Sequence, residues 1–146
     1  MFRELLNRLL EPAPDTLDDE GARLALTALL VRIARSDHNY SEVEKDRIDR
    51  ILTARYGLDT GGALILREQA EAMEAEAPDT VRFTRAIKDA AVYEDRTGVI
   101  EALWQVALAD GHRDANEDAL LRLSASLLGV SDVDSAKARK RAEAAL

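Results

Sequence analysis

Two stretches of this chain carry acidic residues at the same spacing behind an apolar helical pattern. ARSDHNYSEVEKDRI begins at Ala34 and ALADGHRDANEDALL at Ala107. The first supplies Asp37, Ser41 and Glu44; the second supplies Asp110, Asp114 and Glu117 in the same register. Carboxylates are hard oxygen ligands of the kind that Ca²⁺ and Mg²⁺ take. Paired carboxylates also serve acid–base catalysis. A fold that brought the two stretches together would converge Asp37, Glu44, Asp110 and Glu117. Four close carboxylates repel one another unless a cation or a proton intervenes.

A purely local chemistry competes with that reading. Ser41 and Glu44 have the spacing of a capping box, and Asp114 with Glu117 is its anionic counterpart. Each such cap stabilises its helix by about 1 kcal/mol. Asp37 and Asp110 stand where a helix ends, and the exposed carbonyls there disfavour a carboxylate by about 0.3–1 kcal/mol. An Asx turn within the link would offset that cost, and so would a divalent cation. EF-hand loops are excluded: the twelfth residue is Ile48 counted from Asp37 and Leu121 counted from Asp110, so the bidentate Glu is missing. His38 and His112 occupy different repeat positions, so no zinc site is expected from them. Neither a Ser-His-Asp grouping nor a Gly-rich phosphate loop occurs, and no enzymatic activity is expected.

Helical periodicity must position these residues. Phe2, Leu5, Leu6, Leu9 and Leu10 form one apolar face, ended by Pro12 and Pro14, so residues 1–15 read as an N-terminal helix and linker. With Thr16 as N-cap a helix is predicted from Leu17 to about Ser36, then others over Val43–Tyr56, Thr60–Ala77, about 80–91, Glu94–Ala109, Ala115–Leu128 and Asp132–Leu146. No segment reads as a strand. Sliding the chain by 73 residues superposes Leu30 on Leu103, Ile33 on Val106, Asp37 on Asp110 and Glu44 on Glu117. After one deletion the shift is 72, and Gly57 falls on Gly129 and Arg67 on Arg139. Each half is helix, link, helix, Gly, helix. A unit of that size has too little core to stand alone. The expectation is one all-α bundle of seven to eight helices over residues 16–146, with an internal pseudo-twofold repeat.

Composition narrows the partners. Twenty-eight Asp and Glu against 20 Lys and Arg give a formal charge of −8, which repels nucleic acid and favours cations or basic protein segments. There is no cysteine, so disulfides and thiolate metal sites are excluded. That absence fits a cytoplasmic protein. Charge interrupts Met1–Leu10 too often for a signal peptide, and no membrane span is expected. A protein partner or a second copy of the chain suits the amphipathic first helix. Trp104 has core spacing on its helix, and Lys137–Arg141 reads as a solvated charged turn.

ARSDHNYSEVEKDRIDRIL and LWQVALADGHRDANEDALLRLSASLLGVS resemble the two halves of a TerB-like domain, the module named for a tellurite-resistance protein. The family pattern is an apolar helix, Ala-x-x-Asp-Gly, a short link, Ser or Asp, two residues and Glu. Asp110-Gly111 keeps it, whereas His38 stands in place of the first Gly. The resemblance covers roughly residues 22–146. It implies an all-helical pseudo-twofold fold and an acidic surface able to hold metal ions through Asp37, Glu44, Asp110 and Glu117. The function it implies is a non-enzymatic, divalent-cation-binding module in a metal or tellurite stress setting. The alternative is a protein-interaction scaffold whose repeated acids only cap helices and shape turns.

Overall fold

From Leu24 to Ala34 only Thr27 and Arg32 interrupt an apolar run. A helix apolar on every side must lie at the centre of its domain. The computed structural model places it there. The structure describes residues 19–77, 79–109, 111 and 114–145. The helix expected over Phe2–Leu10, the Thr16 cap, Asp110 and His112 lie outside these described residues. The helices are α1 (Asp19–Arg35), α2 (Glu42–Tyr56), α3 (Thr60–Glu76), α4 (Val81–Ala90), α5 (Tyr93–Ala107), α6 (Ala115–Leu127) and α7 (Asp132–Ala144). No strand occurs among the described residues.

Leu24, Leu29, Leu30 and Ile33 of α1 and Ile100 and Leu103 of α5 are among the largest fully buried side chains. Burying one such side chain contributes about 1.5–3 kcal/mol. Thr27 is fully buried too, and its hydroxyl donates to the Arg23 carbonyl at 2.7 Å, so that hydroxyl is not stranded. The pattern of packing follows the sequence repeat. Helix α1 packs along α3 as α5 packs along α7, α1 meets α6 as α5 meets α2, and α1 and α5 meet each other. That is what a twofold exchange of α1–α2–α3 with α5–α6–α7 requires. One exchange fails: α2 packs along α3, whereas α6 and α7 barely touch. Helix α4 joins the halves and buries Phe83, Thr84, Ala86 and Ile87 against α1 and α6.

Local signals explain the helix ends. Ser41, Asp59, Asp114 and Ser131 each accept from the first turn of the helix that follows. Gly57 and Gly129 stop equivalent helices with φ of 65° and 70°, a conformation that glycine adopts at no steric cost. Helix α5 starts at Tyr93, one residue before the expected Glu94, and no side chain caps it. Instead the Tyr93 hydroxyl donates to Asp134 at 2.7 Å and accepts from the Ser131 N–H at 3.2 Å, tying the starts of α5 and α7 together.

The first half carries a charge network between its helices. Arg67 of α3 donates to Asp49 of α2 at 2.7 Å and to Glu71 at 2.9 Å. The Tyr40 hydroxyl donates to the same Glu71 oxygen at 2.5 Å. Arg32 and Arg35 of α1 reach Glu74 at 3.0 and 2.6 Å, and Arg32 also caps the end of α3 through the Ala77 carbonyl at 2.8 Å. Burial raises the Tyr40 pKa above its ordinary value, and the hydrogen bond to Glu71 and the Glu71 charge raise it further. The folded state therefore holds the phenol proton where the unfolded chain loses it. Stability should fall as pH rises above about 10, by at most about 1.4 kcal/mol per unit and less because the ring is half-buried. Urea unfolding between about pH 9 and pH 11 should show a smaller loss in Tyr40→Phe than in the parent protein.

Candidate functional site

The two links begin alike among the described residues. After α1, the Ser36 N–H donates to Ile33 at 3.2 Å and the His38 N–H to Arg35 at 3.0 Å. After α5, the Ala109 N–H donates to Val106 and the Gly111 N–H to Leu108, both at 3.2 Å. Each link then turns left-handed, at His38 with φ 63° and at Gly111 with φ 77°. His38 and Gly111 are the same repeat position, 73 residues apart. The first link thus keeps the turn that glycine favours but builds it with an exposed His, a residue tolerated there at some cost.

Asp37 lies immediately before that turn. Its Oδ1 accepts from the Asn39 N–H at 2.9 Å, the expected Asx turn. Ser41 opens α2 with a full capping box. Its Oγ accepts from the Glu44 N–H at 3.3 Å, while Glu44 Oε1 accepts from the Ser41 N–H at 2.9 Å and from Ser41 Oγ at 3.1 Å. In the second half Asp114 Oδ1 accepts from the N–H groups of Asn116 and Glu117 at 2.7 and 3.3 Å. Capping therefore operates at both links, as the spacing predicts.

Capping does not account for where the carboxylates go. Glu44 is 0% exposed and Glu117 is 2% exposed. Asp37, Glu44 and Glu117 each direct one oxygen into a common space, with those three atoms within 4.8 Å of one another. Glu117 comes from the second half and Asp37 and Glu44 from the first, so the group straddles the pseudo-twofold seam. Asp110, the fourth residue of the expected set, lies outside the described residues. His38 does not belong to the group.

An all-oxygen anionic set suits hard cations. Two oxygens on opposite sides of a Ca²⁺ ion at about 2.4 Å are about 4.8 Å apart, and across Mg²⁺ they are about 4.2 Å apart. The observed spread fits that range. If all three groups were ionised, each pair would repel by about 3–4 kcal/mol at an effective dielectric of about 20. A positive charge or bound protons must balance the group. Asp37 makes no ion pair among the described residues.

Duplicated helix–link–helix units that meet across a seam, with carboxylates from both halves facing one point, define the class: an all-helical repeat domain with an acidic centre. The chain belongs to the family described as tellurite resistance protein TerB, whose model it matches over residues 23–140. No curated protein and no solved structure matches it. No helix among the described residues is long and apolar enough to cross a membrane.

The strained turn gives a direct test of the link geometry. A left-handed non-glycine residue costs about 1–2 kcal/mol, and glycine gives back about 0.5–1 kcal/mol through the freedom of the unfolded chain. His38→Gly should therefore stabilise the protein by about 0.5 kcal/mol in urea unfolding. Gly111→Ala meets open space, so only backbone strain opposes it. It should destabilise by about 1 kcal/mol.

Proposed function

We propose that this chain is a non-enzymatic module that binds one divalent cation at the seam between its halves. Asp37, Glu44 and Glu117 act as ligands, and Asp110 is the fourth member by repeat position. The observation that carries this reading is the burial of two glutamates whose oxygens converge with a third carboxylate from the other half. Helix caps are ordinarily found at solvent-facing helix ends, where one hydrogen-bonded oxygen is enough. Full burial of a charge is costly unless it is paired or coordinates a metal. The ligand chemistry favours Ca²⁺ or Mg²⁺ over softer ions. Membership of the tellurite resistance protein TerB family supports a role in metal or tellurite stress. Cation loading is the state change the module would present to a protein partner.

Calorimetric titration of chelator-stripped protein tests this. Ca²⁺, Mg²⁺, Mn²⁺ and Zn²⁺ are added in turn at physiological ionic strength. One of the hard cations should give saturable heat with one site per chain. Glu44→Gln keeps hydrogen-bonding capacity at the cap and removes the charge, so it should fold and lose at least tenfold in affinity. Asp37→Asn keeps the Asx turn and should weaken binding as well. Heat absent for every cation, or unchanged in both variants, would return these residues to cap and turn duty and favour the scaffold reading.

A further inference from the structure

The broken contact between α6 and α7 leaves a cleft of about 390 Å³. Its walls include Leu121 and Arg122 of α6 and Arg139 of α7, with Trp104 of α5 as its floor. Asp118 and Asp132 stand in the first turns of α6 and α7 at its rim. The volume lies in the range of small-molecule sites.

The internal repeat shows what this space holds in the other half. Arg139 corresponds to Arg67, Glu143 to Glu71, Arg122 to Asp49 and Trp104 to Val31. In the first half Arg67 is neutralised by Asp49 and Glu71 together, and its side chain is only 11% exposed. In the second half Glu143 still pairs with Arg139, at 2.8 Å. The Asp49 position, however, is occupied by a second guanidinium. Arg122 makes no ion pair among the described residues. The carboxylate that closes the first half is thus missing from the second, and two arginines border the vacancy. Arg139 also lies over the Trp104 ring, at 5.6 Å from its centroid. Arg139 thus covers one face of the indole, and Trp104 still lines the cleft beside the two arginines.

We propose that the α6–α7 cleft binds a small monocarboxylate with a short apolar skeleton. The ligand carboxylate takes the place of the Asp49 side chain, between Arg122 and Arg139. Guanidinium forks match carboxylate geometry. The apolar part lies against the half-buried Trp104 indole. Asp132 at the rim repels a second negative charge, so di- and tricarboxylates are disfavoured. This site is independent of the acidic seam.

The protein holds one tryptophan, so its fluorescence reports on the cleft floor. The probes are 4-methylpentanoate and 3-methylbutylamine, which share an apolar end and differ in their charged group. Each is titrated at matched ionic strength. The carboxylate should change Trp104 emission saturably with a Kd on the order of 1 mM, normal for a ligand of so few atoms. The amine should not. Arg122→Asp recreates the first half's pair with Arg139. It should melt at or above the parent's temperature and lose at least tenfold in affinity. Arg122→Gln removes only the charge on an exposed residue and should also weaken binding. The proposal is overturned if the carboxylate gives no saturable change, if the amine binds as well, or if both variants bind like the parent.

Discussion

Two glutamate carboxylates buried at the seam between the half-units constrain everything else in this fold. Three ionised groups within 4.8 Å of one another would repel by about 10 kcal/mol in total at an effective dielectric of about 20. The whole stability of a domain this size is about 5–15 kcal/mol. The packing of α1 and α5 across the centre brings Asp37, Glu44 and Glu117 together, and three ionised groups there would need a balancing positive charge or protons. The Ser41 cap contributes twice: it starts α2 and fixes the direction of the Glu44 carboxylate. A residue that begins a helix therefore also builds the centre of the molecule.

The repeat preserves that centre and lets its flanks diverge. In the first half the Tyr40, Glu71, Arg67 and Asp49 side chains lock α2 against α3. In the second half Trp104 replaces Val31 and Arg122 replaces Asp49, and α6 stands away from α7. The exchange from acid to base removes the ion pair that bridges the corresponding helices in the first half. Conversely, Arg32 and Arg35 hold Glu74 in the first half only, and α4 covers α1 from one side. The α2–α3 contact carries the charge network and is closed, and its α6–α7 counterpart lacks that network and retains a cleft.

Much of this was legible in the residues. Helix order, the Ser41 and Asp114 caps, the Gly57 and Gly129 stops and the duplication all rest on local chemistry. Helix ends differ from expectation by a residue or two, as at Tyr93, where a tertiary hydrogen bond replaces a side-chain cap. The repeat also marked the acidic positions. Burial of Glu44 was not legible, because a capping box explains the same residue without it. Which Arg pairs with which acid was hidden too. Asp49 and Arg67 lie 18 residues apart and Tyr40 and Glu71 lie 31 apart, so only packing brings them together. Trp104 has core spacing, yet it is only half-buried and lines the cleft, which periodicity alone does not reveal.

Unfolding free energy measured against cation concentration tests the seam most directly. A ligand that binds only the folded state adds about 2.7 kcal/mol at a hundredfold excess over its Kd. Parent protein should gain stability in proportion to the logarithm of Ca²⁺ or Mg²⁺ concentration, and Glu44→Gln should not. Equal stability in chelator and in saturating amounts of either cation would contradict a cation at the seam and leave bound protons to balance the buried carboxylates.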